Sequence, residues 1–270
     1  MTGEIVERVL RSSRYRDVDR SLLGRLAAEE LPRSRNADDA VKRVKRRLHQ
    51  AVGAFRGERR TEPLGAIGAA WKGELADPAF RAACADALRA HASTRERVAQ
   101  LDRFYAAIWS HTGTPHRLLD VGCGLGPLAL PWMGLSSSAT YLASDVDRRP
   151  LDTVEAFLAL VDQPHRVEVR DVVADPPTDG ADCALLLKVV TTLDRQDPAA
   201  ATRLVSGLGA RHAVVSFPAR SLGRRGKGME RTYRDRLDRL AAEVGRVTAV
   251  TEASVPNELV FILTLDAADG

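Results

Sequence analysis

Cysteine is scarce in this chain: Cys84, Cys123 and Cys183 are widely spaced and odd in number. Neither a disulfide framework nor a CxxC metal site is available to such a set, and no metal is expected. Long apolar runs are missing as well. No stretch approaches the roughly 20 residues that a bilayer span requires. The opening residues, MTGEIVERVLRSSRYRD, carry charges where a secretory signal would be apolar. The expectation is a cytoplasmic protein with no membrane partner. There is no internal repeat and no low-complexity tract. What the chain does have, over 270 residues, is 44% hydrophobic against 28% charged residues. That balance supports a sizeable core and excludes disorder throughout.

The formal net charge is only +4, but it is unevenly distributed. Residues 1 to 110 hold 22 basic and 15 acidic side chains, leaving 18 basic and 21 acidic for the remainder, so the front is +7 and the back −3. Eight basic groups fall between residues 41 and 60 (Lys42, Arg43, Lys45, Arg46, Arg47, Arg56, Arg59 and Arg60) against one acid, Glu58. Such asymmetry points to a polyanionic partner, although a solvated helix face would have the same composition.

Apolar residues at three-to-four spacing, such as Ile5, Val6, Val9 and Leu10 and then Leu22, Leu23, Leu26 and Ala27, predict helices with short breaks up to about residue 108. Within HASTRER, Ser93 or Thr94 can cap a helix running to about Trp109, with Glu96 three residues after Ser93. After residue 116 the period changes. β-rich runs at 117–121, 140–144, 166–170, 183–187 and 212–217 alternate with helical ones, which implies a parallel sheet covered on both faces. Runs at 246–252 and 258–265, broken at Pro256 and Asn257, predict a terminal hairpin. The expected organisation is a helical domain over 1–108 and an α/β domain over 109–270.

The first of these strands runs into Asp120-Val121-Gly122-Cys123-Gly124-Leu125-Gly126-Pro127. A glycine-rich turn after the first strand of a doubly wound sheet lets a nucleoside-like ligand approach the backbone. The spacing is GxGxG, and Pro127 stands where a pyrophosphate-binding helix would offer an amide, so a dinucleotide is disfavoured. The next strand ends at Asp145, 19 residues after Gly126, where a carboxylate can accept hydrogen bonds from both ribose hydroxyls. Asp171 closes the third strand, placed to meet an adenine amino group while Val172 packs on the ring. The three strand ends together fit S-adenosylmethionine; either acid alone could instead cap the helix that follows.

Further motifs narrow the field. His91-Ala92-Ser93-Thr94-Arg95-Glu96-Arg97, Pro131-Trp132-Met133-Gly134-Leu135, Leu185-Leu186-Leu187-Lys188, Ser216-Phe217-Pro218-Ala219-Arg220 and Gly226-Lys227-Gly228-Met229 occur in this order. Together they resemble the aminoglycoside-resistance 16S rRNA methyltransferases that modify N7 of guanine 1405. The resemblance covers the chain from about Arg14 to Leu263. It implies a Rossmann-like class I methyltransferase domain behind a helical domain that docks on the 30S ribosomal subunit, acting as a monomer. By the same resemblance Phe55, His91, Ser93, Arg97, Gly122, Asp145, Asp171, Val172, Leu187 and Gln196 would surround the cofactor, with Arg97 on its carboxylate. A guanidinium suits that task, though an ion pair with Asp102 or another acid would occupy it equally. The chain departs from the family at Gly122 and Gly126, where Ala and Asn are common.

Guanine N7 has an in-plane lone pair and no proton, so this chemistry needs alignment and no general base. Phe217 is the candidate for stacking on a flipped base, with the core of its strand as the competing position. Lys188 and Arg220 are the candidates for orienting the base or a flanking phosphate, and Met229 for an apolar wall. Lys42, Arg43, Lys45, Arg46 and Arg47 on one side, and Arg224, Arg225 and Lys227 on the other, are expected to grip rRNA phosphates. An adenine-N1 methyltransferase of the same decoding region, or a non-catalytic RNA-binding protein on the same fold, would share much of this pattern.

Overall fold

Several helices begin where a side-chain oxygen can hold the first free amides. Asn36 accepts from Asp39 N, Asp19 from Ser21 N and Leu22 N, and Asp77 from Ala79 N and Phe80 N. In the computed structural model, which describes residues 1–50, 63–218 and 226–267, the first three helices are α1 (Thr2–Leu10), α2 (Arg20–Glu30) and α3 (Ala37–Leu48). They bury a small core of their own that includes Ile5, Val9, Leu22, Leu23, Leu26, Val44 and Leu48. The next helices are α4 (Pro63–Ala70), α5 (Pro78–Ala90), the single turn α6 (Ala92–Arg95) and α7 (Leu101–Thr112), which stops at Gly113 with φ +71°.

Two sequence expectations change here. The helix predicted from Ser93 to Trp109 is broken: α6 gives way to a 3-10 turn at Val98–Gln100 before α7 restarts at Leu101. The cause is the pull of side chains across the break. Thr94 Oγ1 donates to Leu88 O at 2.6 Å, and Arg97 is drawn inward to Glu258. The cores, moreover, do not divide at residue 108. Ile67, Phe80, Leu88, Phe104 and Ile108 pack with Leu118, Tyr141 and Phe157 of the α/β part, so the helices from α4 onward cover the sheet, and only α1–α3 stand apart.

The strands follow as β1 (Arg117–Val121), β2 (Thr140–Asp145), β3 (His165–Val169), β4 (Ala181–Leu187), β5 (Ala210–Pro218), β6 (Val247–Ala253) and β7 (Glu258–Leu265). They lie in one sheet in the order β3-β2-β1-β4-β5-β7-β6. The first five are parallel, and β7 runs antiparallel to both β5 and β6. The predicted terminal hairpin is present. Its turn uses Asn257 at φ +63°, a conformation Asn tolerates, and β7 is laid inside beside β5. Helix α8 (Arg148–Leu160) covers one face together with α4, α5 and α7; α9 (Val190–Gln196), α10 (Ala200–Gly207) and α11 (Gly226–Val244) cover the other. Among the described residues no helix is long and apolar enough to cross a membrane. The strand order reverses between β1 and β4, and in open α/β sheets ligands bind at the carboxyl ends there.

Candidate active site

The turn after β1 is built from backbone that only glycine takes easily. Gly122 has φ +64° and Gly124 φ +51°. A Cβ on Gly122 would stand 2.8 Å from Val189 Cγ2, and one on Gly126 would stand 3.2 Å from Asp120 Oδ2. The turn is tied to β2, since Gly124 N donates to Asp145 Oδ2 at 3.0 Å while Asp147 N donates to Oδ1 at 3.0 Å. Burial raises the Asp145 carboxyl above its ordinary range, and these amides pull against that rise.

Asp120, near the end of β1, accepts from the Tyr141 hydroxyl at 2.7 Å. Burial pushes its carboxyl up to about 7, against the Tyr141 hydrogen bond and the charge of Arg97, while Asp145 adds to the rise. Across the cleft, β4 ends at Leu187 and Lys188 turns sharply at φ +63°. Its backbone N–H is held by Ser216 O and Ser216 Oγ, and its Nζ donates to Ser93 O at 3.1 Å and to Glu96 at 2.8 Å. His91 Nδ1 lies 2.7 Å from Ser93 Oγ, and burial holds the imidazole below its ordinary pKa. Arg97 Nε donates to Glu258 Oε2 at 2.6 Å and its Nη2 to Glu258 Oε1, with Ser216 Oγ 3.3 Å from Nη2 and the Phe104 ring beneath at 4.9 Å. Burial would lower the Arg97 pKa, but the Glu258 carboxylate more than offsets it.

At the far end, Asp171 is paired with an arginine of the amino-terminal helices. Arg25 Nε donates to Oδ2 at 2.7 Å, Nη2 to Oδ1 at 3.2 Å, and Nη2 also reaches Gln196 Oε1 at 2.9 Å. Between the two ends runs a cleft with about 1040 Å³ of free space, its open solvent mouth included. His91, Ser93, Arg97, Gly122, Asp145, Asp171, Val172, Leu187, Lys188 and Gln196 all line it. Asp145, Asp171, Val172 and Leu193 line the cleft together with Arg170, while Arg97, Lys188 and the His91–Ser93 pair line it together with Asp120. That donor set, and a turn in which a Cβ would fill the space beside Val189, suit a ligand with a ribosyl-adenine at one end and an amino acid at the other.

Other expectations are corrected. Phe217 is fully buried, its ring stacked on Tyr233 at 4.9 Å, because alternation along β5 turns it into the core beneath α11; it offers no face to a base. Met229 lies half-buried on α11. Arg43 and Arg47 are committed to carboxylates: Arg43, with 32% of its side chain still exposed, pairs with buried Glu30 at 2.6 Å, and Arg47 with Glu29 and Glu30 and with Gln196 O at 2.8 Å. Lys42 and Arg46 are exposed on α3 and Lys45 is half-buried there. Phe55, Arg220, Arg224 and Arg225 and the side chain of Lys227 lie outside the described residues. Sequence reasoning missed Asp120, Arg25, Ser216 and Glu258. Asp120 had a signal, an acid at a strand end before a glycine turn; the others become partners only through distant pairings.

The family model described as "Ribosomal RNA methyltransferase (FmrO)" matches residues 11–262. A protein of Frankia casuarinae named 16S rRNA (guanine(1405)-N(7))-methyltransferase is 44% identical over 95% of this chain and 91% of its own. One of the same name from Micromonospora echinospora is 36% identical over 96% and 95%. Among solved structures, the 16S rRNA methyltransferase RmtF in complex with S-adenosyl-L-homocysteine superposes with a TM-score of 0.82 at 31% identity, covering 98% of each chain. The 16S rRNA methylase RmtB gives 0.78 at 27% identity, covering 98% of this chain and 99% of its own.

Proposed function

This chain belongs to the FmrO family of ribosomal RNA methyltransferases, and we propose that it transfers a methyl group from S-adenosylmethionine to N7 of guanine 1405 in 16S rRNA, its substrate being the assembled 30S subunit in the cytoplasm. The observation that carries this reading is the cleft at the strand ends. There the glycine turn, Asp145 and Asp171 face the cationic pair Arg97 and Lys188 across one continuous hollow. S-adenosylmethionine, when bound, supplies an electrophilic methyl on a sulfonium.

The chain's own residues have to align that donor with a lone pair. Asp145 is fixed by two amides and is the residue to hold the ribose hydroxyls. Val172 and Leu193 offer apolar surface to the adenine, and Arg97, with one nitrogen edge committed to Glu258, retains N–H groups for a carboxylate. A held near-attack geometry contributes roughly 7–11 kcal/mol without any acid or base. Lys188 uses two of its three N–H donors on Ser93 and Glu96, and the third is the one to orient the flipped guanine or a neighbouring phosphate. Exposed Lys42 and Arg46 on α3 are the groups we assign to rRNA phosphates.

The test is tritium transfer from labelled S-adenosylmethionine to 30S subunits and, separately, to naked 16S rRNA. Label in the 30S subunit alone is expected. Label in neither would reject the enzyme reading, and equal label in both would reject the assembled particle as substrate.

A further inference from the structure

Helices α1–α3 have a core of their own, and they meet the sheet unit along the Asp171 end of the cleft. Behind β2, Asp19 N donates to Val146 O at 2.8 Å and Arg148 N to Asp17 O at 2.9 Å. Beyond β3, the Arg25 fork grips both oxygens of Asp171, whose side chain is only 2% exposed. At the end of α9, Arg25 holds the Gln196 side chain and Arg47 the Gln196 carbonyl. Val146, Asp171 and Gln196 are all walls of the cleft.

We propose that Arg25 is a positioning residue of the cofactor site, and that through it cofactor affinity and the seating of the amino-terminal helices form one linked equilibrium. This rests on the assignment of the cleft to S-adenosylmethionine. A carboxylate has about four acceptor positions. Arg25 takes one on each Asp171 oxygen and Val173 N a second on Oδ1, which leaves Oδ2 an open acceptor. The pairing therefore aims Asp171 without blocking it. Were α2 to shift by an ångström or so, the fork would be lost and a buried carboxylate left without its cation, at the very place where the adenosine is held. Whatever fixes the amino-terminal helices, rRNA above all, then tightens cofactor binding, and cofactor tightens rRNA binding by the same factor.

The experiment is calorimetry of S-adenosylhomocysteine on the full chain, alone and with 30S subunits, for the native protein, Arg25→Met, Arg25→Lys, Asp171→Asn and the Arg25→Met/Asp171→Asn double variant. Arg25→Met is expected to weaken binding roughly tenfold or more. Arg25→Lys should recover only part of this, since an ammonium cannot reproduce the fork. Adding Asp171→Asn to Arg25→Met should cost less than Asp171→Asn does alone. The 30S subunit should tighten ligand binding by about fivefold or more in the native protein and not in Arg25→Met. If the native protein binds no S-adenosylhomocysteine, the cleft assignment falls and this inference with it. If it binds while Arg25→Met keeps the native affinity and the native 30S effect, losing only thermal stability, Arg25 is merely structural and the inference alone is overturned. Should Arg25→Met fail to fold, Asp171→Asn decides: an undiminished 30S effect in that variant overturns the linkage.

Discussion

Glu258 is the residue whose loss the structure makes easiest to quantify. Its side chain is 1% exposed and that of Arg97 6%, and the two form a two-pronged ion pair that also takes in Ser216. In Glu258→Ala the Arg97 guanidinium stays buried against Phe104 without its paired carboxylate, with only the more weakly coupled Asp120 acting on its charge. Removing one partner of a buried pair costs about 3–5 kcal/mol, because the remaining charge is uncompensated. Urea denaturation should show that loss as a lower midpoint with an unchanged slope. Removing the stranded charge as well, in Arg97→Met/Glu258→Leu, should restore at least about 2 kcal/mol of it. That double variant should still fail to bind S-adenosylhomocysteine, since Arg97 also lines the cleft. The reasoning is refuted if Glu258→Ala costs less than about 1 kcal/mol, or if the double variant is less stable than the single one.

Three further outcomes follow from the same structure. Gly122→Ala places a methyl 2.8 Å from Val189 Cγ2, so S-adenosylhomocysteine affinity, read by calorimetry, should fall in Gly122→Ala and recover in Gly122→Ala/Val189→Ala, the side chain at 189 deciding whether Ala is tolerated here; native affinity in the single variant would contradict the tight turn. Asp120, held up at about 7 by burial, keeps its proton in the folded state while the unfolded chain loses it near 3.9. In urea titrations the Asp120 contribution to unfolding free energy, read as the difference between the native protein and Asp120→Asn, should therefore fall by about 4 kcal/mol as pH rises from 4 to 7 and then level off. Phe217→Ala should cost about 3–5 kcal/mol of stability. In the fraction that remains folded, methyl transfer should retain its kcat; a selective loss of kcat would return Phe217 to the substrate.

The strands were legible because each is a short run rich in Val, Leu and Ala, and the predicted runs fall within two residues of β1–β7. The glycine turn and Asp145 could be read for a local reason: their chemistry lies within one strand–turn step. What remained hidden depends on partners far away in the chain. Arg43 and Arg47 look solvated until α2 brings Glu29 and Glu30 beside them. Arg25 reads as one more charge on an amphipathic helix until β3 delivers Asp171, 146 positions later. Phe217 sits at a strand end where either face was open, and only the placement of α11 with Tyr233 buries it. The break between α6 and α7 was hidden for the same reason, since Arg97 leaves the helical path to meet Glu258, 161 residues on.

The most direct test of the account is chemical mapping of the methylated nucleotide. Treated 30S subunits are reduced with borohydride and cleaved with aniline, which cuts at 7-methylguanosine, and the break is located by primer extension. The account predicts one new break at guanine 1405, absent without S-adenosylmethionine and absent with Asp145→Ala. Methyl incorporation with no break there, or a break that persists in Asp145→Ala at the native level, would contradict it.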